Sequence, residues 1–122
     1  MLTPDAFRRL ALDMPGAIES AHMGHPDFRA NGRIFATLHP GDRFGMVKLL
    51  PEEQAEFMRQ HPSTFSPSAG AWGRQGCTDV RLEAAEEAAV RAALVLAWEH
   101  ATARPASPTR KRESKGTKKR PR

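Results

Sequence analysis

The chain is 122 residues long, carries a formal net charge of +5 and holds a single cysteine. That length suits one domain with its own core; the lone Cys77 excludes a disulfide framework or a cysteine-rich zinc site; and no apolar run approaches the roughly 20 residues of a membrane span. Residues 104–122 hold nine Lys or Arg and one acid, whereas 1–103 hold ten basic and thirteen acidic residues, so a mildly acidic body carries a strongly basic tail.

At the N-terminus, Thr3-Pro4 reads as a helix cap followed by proline in the first turn. Phe7, Leu10, Ala11 and Met14 recur at helical spacing until Pro15-Gly16 stops the pattern. The opening residues lack a basic region and a continuous apolar stretch, which argues against a signal peptide and for the cytoplasm. "IESAHM" then alternates loosely. "DFRANGRIFATLH" predicts a hairpin turning at Asn31-Gly32, the pair that tolerates positive φ at both central positions of a type I′ turn. A further turn at "PGD" (40–42) leads into "RFGMVKLL", giving a meander of at least three strands.

Pro51 opens a second helix, with Glu52 and Glu53 placed to complement its dipole. "PSTFSPSAG" (62–70) reads as a Pro/Ser loop. In "WGRQGCTDVRL" (72–82) the glycines shape the entry to a short strand in which Val80 and Leu82 face together. The last helix is expected over about 83–102, burying Val90, Leu94, Ala97, Trp98 and Ala101. Pro, Ser, Lys and Arg dominate from Arg104 to Arg122, and a segment with so little to bury is expected to be disordered. The order αβββαβα predicts a single α+β domain over 1–103, an antiparallel sheet with helices packed on one face, and its other face open.

Candidate chemistry is sparse. His22 and His25 form an H-x-x-H, but on an extended segment they point to opposite faces, and zinc takes three or four protein ligands. Cys77 has no histidine near it in sequence to act as a base, so it reads as a small buried apolar residue. Gly70, Gly73 and Gly76 lack the Lys-Ser/Thr of a phosphate loop and the strand–helix setting of a dinucleotide fingerprint. No cofactor motif, metal site or catalytic carboxylate pair stands out.

Electrostatics say more. Arg29, Arg33 and Lys48 fall in the β region, Trp72, Arg74 and Arg81 in the later glycine-rich segment, and the acids concentrate on the helices. An open sheet face bearing those six residues would hold phosphates and stack a base. In the tail, Arg110, Lys111, Arg112, Lys118, Lys119 and Arg120 form clusters of the kind that bind nucleic acid by counterion release without reading sequence.

Four stretches in order, "MPG" (14–16), "GHPDFRANGRIFATL" (24–38), "LLPEEQAEFM" (49–58) and "WGRQGCTDVRL" (72–82), resemble the MmcQ/YjbR family of small bacterial proteins. The resemblance spans about residues 3–101 and leaves out the tail. It implies a fold similar to that of the frataxin homologue CyaY, an antiparallel sheet flanked by helices, and a DNA-binding role without catalytic residues. Relatives usually carry a tryptophan where Cys77 stands, which implies a packing role for the thiol. Frataxin-type iron binding draws on an acidic ridge, whereas the first helix here offers only Asp5 and Asp13 around Arg8 and Arg9.

Two functions are therefore expected in competition. One is a non-enzymatic nucleic-acid-binding module, DNA in the first instance, with no membrane contact. The other is a small-ligand or enzymatic domain whose pocket gathers His25, Arg74 and Cys77, with a protein–protein adaptor on the open face as a variant.

Overall fold

A computed structural model describes residues 1–22, 24–39, 41 and 43–103, the side chain of His22 excepted. The expected disordered tail, and its six named cations, lie outside the described residues, as do Pro40 and Asp42 of the second turn.

Helix α1 (Pro4–Leu12) starts where the cap signal puts it, with Thr3 Oγ1 accepting the Ala6 N–H at 3.0 Å. Four strands follow in a meander: β1 (Ile18–His22), β2 (His25–Ala30), β3 (Arg33–Leu38) and β4 (Phe44–Lys48). Asn31 and Gly32 both take positive φ, 56° and 74°, as the β2–β3 turn demands. Helix α2 (Pro51–Gln60) is capped by Glu53 Oε1, which accepts the Leu50 N–H at 2.9 Å. The stretch expected as a plain loop contains a three-residue strand, β5 (Phe65–Pro67), and leads into a short helix, α3 (Gly70–Arg74). Strand β6 (Cys77–Arg81) comes next, and α4 (Glu87–Thr102) closes the domain.

The fold is the expected α+β domain, with a six-stranded antiparallel sheet in the order β1-β2-β3-β4-β6-β5. The element string αβββαβα is corrected by one more meander strand, by β5 and by α3. Helix α4 also begins later than expected. Residues 82–84 form a 3-10 turn, and Ala85 and Glu86 are extended before it.

One face of the sheet carries the core. Val47, Val80 and Gly45 point to it, and Gly45 abuts the Phe7 ring of α1. Helix α4 lays Val90, Ala93, Leu94 and Ala97 on the middle strands, while α2 reaches β5 through the Phe57–Phe65 ring contact. Leu82 is buried as expected, but in the 3-10 turn rather than the strand. Trp98 is only half-buried, because its indole N–H donates to Pro15 O at 2.8 Å at the margin of the core.

A β-bulge decides what reaches the other face. Phe28 pairs with Ala36 but Arg29 pairs with Ile34, so Phe35 is the extra residue. Both Phe35 and Ala36 are buried, and the slip turns Ile34 to the uncovered face beside Arg29.

Candidate functional site

By strand parity, Thr37, Met46, Lys48, Cys77 and Asp79 share the uncovered face. The β5–α3 segment stands beside it and turns this part of the sheet into a cleft of about 450 Å³. Ile34, Met46 and Trp72 are its large apolar walls, and Thr37, His39, Lys48, Ser68 and Asp79 its polar groups. Trp72 is 64% exposed, an indole held at the rim rather than in the core.

Two glycines and a glutamine build that rim. Gly73 packs so tightly that a Cβ would lie 1.9 Å from Ser68 O. Gly76 has φ of 111°, and a Cβ there would lie 2.0 Å from Leu49 O. The glycines of this segment therefore serve turn geometry and close approach, not phosphate binding. Behind them, buried Gln54 of α2 sends Nε2 to Gly73 O, Cys77 O and Thr78 Oγ1 at 3.1, 2.9 and 3.2 Å. One amide thus ties α3 to the start of β6.

At the cleft's polar side, Asp79 Oδ1 accepts from Ser68 Oγ at 2.7 Å, and His39 Nε2 lies 3.4 Å from the same oxygen. The serine proton is directed at the carboxylate, not at a histidine. That is a carboxylate held by the serine hydroxyl with an imidazole beside it, rather than a nucleophile set against a base. Cys77 is 7% exposed, and burial pushes its thiol pKa up, opposed by Lys48 and reinforced by Asp79. A protonated, buried thiol matches the packing role expected of it.

A second cleft of about 460 Å³ adjoins the first, and the two share Ile34 and Lys48 as lining residues. Arg29, Arg33 and Lys48 line it together with the end of α4. Two of these cations are engaged. Arg29 grips the buried Asp27 through Nε and Nη2 at 2.8 and 3.1 Å, and Arg33 Nη1 donates to Ala101 O at 3.1 Å. Arg33 thereby supplies a donor and a positive charge to the C-terminal end of α4, where helix carbonyls lack partners. Lys48 is exposed and has no ion pair among the described residues.

Of the six body residues expected to form one patch, Trp72 and Lys48 border the first cleft, and Arg29, Arg33 and Lys48 the second. Arg74 and Arg81 border neither. Arg74 is exposed on α3 but lines neither cleft, and Arg81 stands at the far end of β6, 4.0 Å from Glu83. The alternative pocket of His25, Arg74 and Cys77 does not form among the described residues: Cys77 lines the first cleft, but Arg74 and His25 do not. His25 begins β2, three strand positions from β6 and so about 14 Å away across the sheet. His39, Ser68 and Asp79 escaped the sequence reading altogether. Only the alternation of Cys77, Asp79 and Arg81 along β6 hinted that Asp79 would face outward.

Among the described residues no group of three or more His, Cys, Asp or Glu is placed to hold a metal ion, and no helix is long and apolar enough to cross a membrane.

A family model described as YjbR matches residues 12–100. No curated protein matches the chain. Among solved structures, the Deinococcus radiodurans protein DR2400, described as having a DUF419 domain, superposes with a TM-score of 0.70. The likeness covers 84% of this chain and 80% of that one at 18% identity, a likeness of fold.

Proposed function

The chain belongs to the YjbR family, and we propose that it serves as a non-enzymatic nucleic-acid-binding module that favours single strands. The observation that carries this reading is the groove formed by the two adjoining clefts. An exposed indole borders one, Arg29 and Arg33 the other, and Ile34 and Lys48 line both. Single strands present a base face and a phosphate at each step, and proteins that hold them pair aromatic platforms with a positive track. The basic residues 104–122 follow α4, whose end forms one wall of the cationic cleft. Their charges add affinity for the backbone without adding selectivity. The cytoplasm, where a lone buried thiol stays reduced, is part of the same proposal.

The test is a salt-titrated binding assay with labelled single-stranded and duplex DNA, and RNA as a further probe. The full chain is expected to bind more weakly as salt rises. Removing residues 104–122 is expected to cut the log–log slope by up to about seven, since each phosphate neutralised contributes close to one unit. The absence of salt-dependent binding by the full chain to any of these nucleic acids would end the proposal.

A further inference from the structure

We propose that the cleft beside Trp72 takes a single nucleobase and selects those that carry an exocyclic amino group, with Asp79 as the reader. This rests on the nucleic-acid reading above and adds a specificity to it.

The two carboxylate oxygens of Asp79 are unequally satisfied. Its Oδ1 is engaged by Ser68 and neighboured by His39, while no donor among the described residues reaches Oδ2. The side chain as a whole is 27% exposed, so the carboxylate stands partly out of water with one oxygen lacking a protein donor. A partly desolvated acceptor gains from a ligand donor. The walls around it are flat and apolar, with Trp72 on one side and Met46 and Ile34 on the sheet. A ligand that stacks on an indole and offers an N–H donor at its edge meets both demands.

Cytosine, adenine and guanine have that form, each with an exocyclic amino group at its edge. A carboxylate accepting from the cytosine amino group is a recurring base contact. Uracil and thymine put a carbonyl oxygen at the corresponding edge, and two acceptors repel. Ser68 holds the carboxylate, so it cannot turn away without breaking that bond. Lys48 borders the same cleft and the cationic one beyond it, which places an ammonium where the phosphate of a bound nucleotide would leave.

Cytosine and uracil nucleotides differ at this edge and share sugar and phosphate, so they make the test. With the full chain, oligo(dC) is expected to bind roughly tenfold tighter than oligo(dU), a discrimination typical of one well-placed base contact, and to quench tryptophan fluorescence. Asp79→Asn, which exchanges an acceptor for a donor, should narrow that preference or reverse it. Competition on the native protein provides a test without any variant: cytidine monophosphate should displace bound oligo(dC) at roughly tenfold lower concentration than uridine monophosphate. Equal binding of the two oligonucleotides, or equal displacement by the two monophosphates, overturns the amino-group selectivity while leaving the nucleic-acid reading standing. Failure to bind any oligonucleotide overturns both.

Discussion

Lys48 and Cys77 stand directly opposite each other across β4 and β6, the ammonium on water and the thiol beneath the surface. The pairing sets a contrast on a single face of the sheet. One residue is an exposed cation at the junction of two clefts, and the other is the chain's only thiol, held in its neutral form. Burial outweighs the nearby positive charge and raises the thiol pKa.

Cys77 is therefore expected to react slowly with iodoacetamide at neutral pH in the folded protein and quickly in urea. The sign of the linked stability follows from the same shift. The unfolded thiol loses its proton at lower pH than the folded one, so stability is full below the unfolded pKa and declines as pH rises through the folded value. Urea midpoints measured from neutral to alkaline pH should show this decline, and Cys77→Ala should flatten it. Rapid alkylation of folded protein at neutral pH would contradict the assignment.

Lys48 and Trp72 should fail differently. Lys48→Gln is expected to weaken single-strand binding uniformly across sequences and lower the salt slope by about 1. Trp72→Ala should cost about 1–3 kcal/mol of single-strand affinity, the worth of one stacked base, with the slope unchanged. Both side chains are exposed, so thermal melts should stay close to the parent's. Arg81→Gln, on the same face but outside the lining of either cleft, should bind like the parent.

The two glycines at the rim are expected to be intolerant of any side chain. Gly76→Ala combines positive φ with a backbone collision at Leu49 O, and a destabilisation of about 2–4 kcal/mol is expected. Gly73→Ala collides with Ser68 O and should behave alike. Gly41→Ala meets open space and only the strain of φ at 85°, so about 1–2 kcal/mol suffices there. Urea denaturation of the three variants checks the ranking.

Gln54→Leu removes one of the donors to Gly73 O and Cys77 O behind the cleft, which keep the backbone N–H groups of Gly76 and Ser68. The lost amide bonds are expected to cost about 1 kcal/mol. Because the same bonds anchor α3, affinity for single strands should fall while the salt slope holds. A binding assay run beside the denaturation curve separates the two effects.

The amino-acid sequence by itself determined whatever rests on neighbours along the chain. Thr3 capping α1, Asn31-Gly32 turning the hairpin and Glu53 at the start of α2 depend on contacts within a few residues, and the apolar stripe of α4 shows in the spacing of its own segment. The α+β class followed from those signals in order, and the family resemblance from four short stretches of sequence. Tertiary structure alone decided the groove. Strand β5 has three residues and exists only through its pairing with β6. The extra residue Phe35 turns Ile34 outward, and no local pattern announces a bulge within "RIFATL". The insertion of β6 between β4 and β5 sets Asp79 beside Met46 and Ser66. A strand shows one set of side chains or the other according to a register fixed by distant partners, and a slip of one residue exchanges them. The helices and turns could thus be read locally, whereas the company kept by Asp79, Lys48 and Trp72 could not.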